Sequence, residues 1–278
     1  MADYLRPTTL DDALAALADR PWTMLAGGTD VYPATVGRPP SDDILDVTGL
    51  ASLREITVED DSVRIPALAT WTDLVRTDLP PGFDGLKTAA RSIGGVQIQN
   101  RGTLAGNLCN ASPAADGLPN LMALDARVEL SSISGRREVA VGEFVVGNRR
   151  TVRRPDELAT AILVPPPTPT ARSTFLKLGS RAYLVISIAS VAAVIDVASD
   201  GHVTSARIVV GACSEVPRRI EAVEKRIVGA IATPSLAAAI ARADLAVLSP
   251  IDDVRGTAAY RRDVATTLVR RAVSELLA

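Results

Sequence analysis

Four prolines fall within five residues at Pro165-Pro166-Pro167-Thr168-Pro169, and no other stretch of the chain limits the fold as strongly. Each ring fixes φ and removes a backbone donor, so neither a regular helix nor a central strand can run through this segment. An extended connector is the favoured form. The 278 residues are therefore expected to fold as two units, 1–165 and 170–278, each long enough to bury a core.

In the first unit, helix and strand patterns alternate. Thr9 is a candidate N-cap, with acids in the turn that follows and Leu14 and Leu17 on one face. Strand patterns follow at Thr23–Ala26, Ile44–Val47 and Val63–Leu68, and Arg127–Leu130 alternates as a further strand. Thr70 is placed to cap a helical turn, 85–93 reads as a helix ending at Gly94-Gly95, and 118–125 is helix-like with Pro119 tolerable in its first turn. The second unit opens with three strand patterns, 173–178, 187–197 and 202–212, the last two joined by a turn at Asp200-Gly201. Helical patterns take over at 218–230, 234–243 and 258–277. The expected class is α+β, the second unit being a three-stranded antiparallel sheet with three helices.

Composition removes several functions. Only nine residues are Phe, Trp or Tyr and the net charge is −2, so neither the stacking platforms nor the basic footprint of a nucleic-acid binder is present. His202 is the only histidine, and Cys109 and Cys213 stand 104 residues apart, which leaves no ligand set for zinc or an iron–sulfur cluster. Two cysteines suit reduced thiols in a cytoplasmic protein, and the first residues lack a charged-then-apolar leader pattern. The nearly uncharged run Ala182–Ile195 is too short to span a bilayer and reads as a buried strand; no integral membrane segment is expected.

Two segments are built for a ligand. Residues 102–116 crowd Gly102, Ala105 and Gly106 with Thr103, Asn107, Asn110 and Ser112, a mixture that lets backbone approach a phosphate and offers polar groups around it. Ala26-Gly27-Gly28-Thr29-Asp30 repeats that chemistry at the end of a strand, although Gly-Gly-Thr-Asp also serves as a plain turn. The Gly-x-Gly-x-x-Gly spacing of a nicotinamide-binding Rossmann unit is absent. Two such loops suit a diphosphate. Asp116, before a helical pattern, reads either as an N-cap or as a carboxylate facing a ribose or ring group.

Taken with Gln99–Asp116 and with Phe175-Leu-Lys-Leu-Gly-Ser-Arg181, the Ala26–Asp30 motif resembles the FAD-binding medium subunit of the molybdenum hydroxylases, the xanthine dehydrogenase and carbon monoxide dehydrogenase family. The resemblance covers essentially the whole chain. It implies a two-part FAD-binding domain of the PCMH type, with subdomains of about 1–55 and 56–165, and a C-terminal domain of the CO dehydrogenase flavoprotein type. It also implies that Thr23, Met24, Leu25, Ala26, Gly27, Gly28, Thr29 and Asp30 form one pyrophosphate loop, and Thr103, Leu104, Ala105, Gly106 and Asn107 the second. Ile93 would flank the cofactor, Asp116 contact it, Ala159 present backbone to the adenine, and Lys177 reach toward the flavin ring. Ala105 stands where the family usually has Gly. No general acid or base is assigned.

The implied partners are an iron–sulfur small subunit with [2Fe–2S] clusters and a large subunit with molybdopterin, in a dimer of heterotrimers. The chain would then be an oxidoreductase subunit that takes electrons from a cluster and passes them to an external acceptor. A self-sufficient FAD oxidase or reductase, or an assembly module that has lost its cofactor, are the rival readings. Apart from the resemblance, Lys177 could be a solvated lysine on an edge strand, Tyr183 a strand aromatic or a cover for a ring face, and Cys109 a packed thiol. His202 reads as a surface residue. Arg261, Arg262, Arg270 and Arg271 read as a solvated or subunit-facing stripe on the last helix.

Overall fold

The computed structural model describes residues 2–34, 36–37, 42–59 and 61–278. Thr9 caps the helix Leu10–Asp19 by accepting from the Asp12 amide, and Ala13, Leu14 and Leu17 turn inward. That helix contacts the strand Arg127–Ser132, and beside it in sequence is a small parallel sheet in which Ile44–Asp46 lies between Tyr4–Leu5 and Thr23–Leu25. A five-stranded antiparallel sheet follows, in the order Thr57–Val58, Val63–Pro66, Leu158–Val164, Arg127–Ser132 and Gly135–Ala140. The helices Trp71–Arg76, with a reciprocal Thr70–Asp73 capping box, Asp84–Ser92 and Gly117–Ala123 complete this part.

The C-terminal sheet has four strands, one more than the sequence patterns suggest: Arg172–Leu178, Ala189–Val197, Val203–Gly211 and Arg218–Arg219. Arg218 and Arg219 pair with Val210 and Val209, and the helix begins only at Glu221. Glu224 fixes this break, because its carboxylate accepts from the Ile208 amide and from Arg219 Nε, stitching the helix to the sheet. The pattern over 234–243 is not one helix but two 3₁₀ turns, Pro234–Ala239 and Arg242–Leu245. Between them Arg270 takes the Ile240 carbonyl and Asp244 takes the Ala241 amide, so tertiary bonds replace helical ones. The long helix Ala258–Leu276 forms as its pattern suggests.

Alternation along the central strands gives this sheet two buried faces. Ala192, Val194 and Val209 join the core of the first part, against the helices Asp84–Ser92 and Gly117–Ala123. Val191, Ala193, Ile195, Ile208 and Val210 face the second core, under the helix Ala258–Leu276. Close approach is possible because a Cβ on Gly85 would lie 2.9 Å from the Thr174 backbone.

Two further readings change. Residues 182–186 are an exposed loop, not the start of a strand: Leu184 has φ +51, and Arg181 donates to the carbonyls of Tyr183 and Leu184. Arg261 is no surface cation. It is buried, donating to the carbonyls of Ile188 and Ala212 and pairing with Asp253 at 2.6 Å.

Candidate functional site

Where the strand Thr23–Leu25 ends, the chain runs through Gly27 and Gly28 directly against residues 101–102. A Cβ on Gly27 would sit 2.0 Å from the Arg101 carbonyl oxygen, and Gly28 has φ +72. Both glycines are thus required by the backbone itself, one for contact and one for conformation. Between this loop and the helix Leu104–Asn110 opens a cleft of about 480 Å³.

Most of the residues assigned to a cofactor line that cleft. Thr23, Met24 and Ala26 to Asp30 come from the first segment, Thr103, Ala105, Gly106 and Asn107 from the second, and Ile93 and Ala159 from two other elements. Ala105 lies within the helix and has no positive φ, so its methyl group is accommodated. Leu25 and Leu104 do not line the cleft; both are buried in the core, where strand and helix periodicity send them. Asn110, expected as a polar group of the second segment, lines it too, as does Cys109; sequence reasoning passed over Trp22, Trp71, Ile98, Arg153 and Leu158, which line it as well.

The polar groups of the cleft are incompletely used. The amides of Gly27, Gly28 and Thr29 donate to no acceptor among the described residues. Thr103 Oγ1 accepts from the Gly106 amide at 2.9 Å, which commits it to capping the helix. Oδ1 of Asn107 is buried without a hydrogen-bond partner, and a Cβ on Gly117 would stand 2.6 Å from it. Removal from water pushes the Cys109 thiol up to about 11, so it is a neutral wall group.

Asp116 and Lys177 lie outside the lining and are bonded to each other at 2.9 Å. Asp116 occupies an N-cap position, but its side chain caps nothing. Its second oxygen instead accepts from the buried Ser187 hydroxyl at 2.6 Å. Lys177, on the edge strand, is only 11% exposed in its side chain and also donates to the Ser92 carbonyl at 3.4 Å. This is not a solvated lysine. Ser92 precedes Ile93, so the pair is joined to the cleft wall through one backbone step. Ser187 carried no signal of its own, being read as part of a strand.

Tyr183 is 77% exposed on the 182–186 loop, and His202 is an exposed turn residue 3.3 Å from Asp200. Among the described residues no group of three or more His, Cys, Asp or Glu side chains could hold a metal ion, and no helix is long and apolar enough to cross a membrane.

Comparison with known proteins agrees with this geometry. Residues 1–167 match the family described as the FAD binding domain in molybdopterin dehydrogenase, and residues 174–276 match the CO dehydrogenase flavoprotein C-terminal domain. The xanthine dehydrogenase FAD-binding subunit of Escherichia coli O157:H7 is 32% identical over 285 residues, covering 100% of this chain and 96% of that protein. The glyceraldehyde dehydrogenase medium chain of Sulfolobus acidocaldarius is 33% identical over 276 residues, covering 98% and 97%. In reconstituted CO dehydrogenase from Oligotropha carboxidovorans, one chain superimposes with a TM-score of 0.92 at 29% identity, covering 100% of this chain and 98% of that one.

Proposed function

Because the chain belongs to the FAD-binding medium subunits of the molybdenum hydroxylases, the xanthine and carbon monoxide dehydrogenase family, we propose that it holds FAD in the cleft between Ala26–Asp30 and Thr103–Asn107. The observation that carries this reading is the set of unmet hydrogen-bonding groups there. Free amides at Gly27, Gly28 and Thr29 call for an anionic acceptor, which a diphosphate supplies. A dinucleotide carries that diphosphate.

In this reading Thr23 to Asp30 and Thr103 to Asn107 bind the diphosphate region, with Leu25 and Leu104 anchoring the two segments in the core. Ile93 and Ala159 supply apolar wall and backbone. Asp116 holds Lys177, so the cation at this edge is fixed in place and its charge is offset by a carboxylate. Bound there, FAD supplies two-electron chemistry, linking a [2Fe–2S] cluster on a small subunit to an external acceptor while substrate is oxidised at molybdopterin on a large subunit. A single histidine and two distant cysteines support the assignment of those metal centres to partner chains. The assembly we propose is a cytoplasmic dimer of heterotrimers.

The test is the visible spectrum of the purified full chain, followed by titration with FAD and with FMN. Flavin absorption bands and saturable uptake of FAD, with FMN bound far more weakly for want of a diphosphate, are the expected result. Protein that takes up no FAD, or that binds FMN equally well, overturns the assignment.

A further inference from the structure

We propose that Arg149 is a positioning residue that ties the two FAD-binding segments together across the rim of the cleft. The proposal rests on the cleft being the FAD site. Arg149 Nη1 donates a hydrogen bond to Asn110 Oδ1 and stands 3.9 Å from Asp30 Oδ1. Asn110 ends the helix that carries the second segment, and Asp30 ends the first; both line the cleft, whereas Arg149 does not. One guanidinium therefore closes a ring from loop to helix. Both contacts run through the one Nη1 nitrogen, so removing it frees both segments at once.

The backbone beneath it is held for the purpose. Asn148 and Arg149 form the turn between the strands Val145–Gly147 and Arg150–Thr151, and Arg149 has φ +57, where a glycine would sit without strain. Its amide donates to the Ala111 carbonyl at 2.9 Å, and Ala111 itself has φ +47. From the other side the Asn148 amide donates to Glu215 Oε1 at 3.1 Å. Two strained residues meet at one junction, anchored to both halves of the chain. Strain of this kind persists where the surroundings over-determine it, and ligand clamps are one such place.

The experiment compares Arg149→Gly and Arg149→Gln with the parent protein, measuring the rate of FAD release by recovery of flavin fluorescence and the melting temperature of the FAD-free form. Release should quicken about threefold to fivefold in both variants, since the contact is more than half exposed and screened by solvent. Arg149→Gly should at the same time keep or raise the FAD-free melting temperature, since it relieves φ strain. Release from Arg149→Gly within twofold of the parent protein overturns the role of Arg149. A parent protein that takes up no FAD at all defeats the FAD assignment itself, and is seen before any variant is made.

Discussion

Gly27→Ala is the sharpest perturbation the structure offers. The added methyl carbon would lie 2.0 Å from the Arg101 oxygen, 2.7 Å from its carbonyl carbon and 2.9 Å from the Gly102 Cα. All three are backbone atoms, so no side chain can swing aside. To reach the 3.0 Å below which real Cβ atoms are essentially never found, the loops must part by at least about 1 Å. Separation on that scale stretches a normal hydrogen bond of about 2.9 Å to nearly 4 Å, which is no bond. If two of the three free amides lose a charged acceptor, at about 1.5–3 kcal/mol each, FAD affinity falls by roughly 10²–10⁴-fold. Loss of fold stability should be smaller, about 1–3 kcal/mol, the usual cost of overpacking.

The assay is titration of the FAD-free protein by flavin fluorescence, beside its urea unfolding curve. Gly201→Ala is the control: Gly201 has φ +85 with nothing within 4 Å of an added Cβ, so it should lose about 1 kcal/mol of stability and no affinity. FAD affinity in Gly27→Ala within threefold of the parent protein would refute the reasoning, since the close approach of the two segments could not then matter to the cofactor.

Asn107→Ala deletes a buried oxygen with no partner, so it should leave the melting temperature of the FAD-free form unchanged or higher, as differential scanning fluorimetry would show. Burial opposes the charge on Glu157, but Arg137 and the Arg154 amide outweigh it and hold its carboxyl below the usual range. Its contribution to stability is therefore complete at neutral pH and is lost as pH falls below about 4.5. Glu157→Gln should cost about 2 kcal/mol at pH 7, less than a fully buried pair because Arg137 is partly exposed, and its deficit should shrink in acid. With both thiols raised to about 11, iodoacetamide should label Cys109 and Cys213 at pH 8 at least about 100-fold more slowly than a free cysteine.

The glycine loops were legible in the sequence because their constraint is local: a Gly pair at a strand end, or small and polar residues in a row, means the same thing wherever it occurs. Asp116 was legible only as two alternatives. Its N-cap role is removed by Lys177, 61 positions away, and Ser187, 71 away, which draw the carboxylate off its own helix end. Arg149 gave no signal, since an arginine in a short turn reads as surface until Asn110 and Asp30 are brought beside it. The failures at Arg218, Ile240 and Arg261 share one cause. In each, a side chain bonds backbone of another element: Glu224 the Ile208 amide, Arg270 the Ile240 carbonyl, and Arg261 the carbonyls of Ile188 and Ala212.

Lys177 shows how the long-range and local parts of the site combine. In the edge strand Arg172–Leu178, Phe175 belongs to the core of the first part while Leu176 and Leu178 pack on the second. Period-two alternation therefore sends Lys177 to the side of the first core, opposite the buried Ser190. A shift of one residue would bury the ammonium in the second core instead. The register is held by seven consecutive pairings with a strand buried on both faces, so this charge is placed far more rigidly than any loop could place it. A lysine so enclosed needs a counter-charge, and Asp116 supplies it from the other half of the chain. The site thus divides its work: the glycine segments offer amides to whatever anion lies between them, and the C-terminal sheet fixes an ion pair that adjoins the cleft wall.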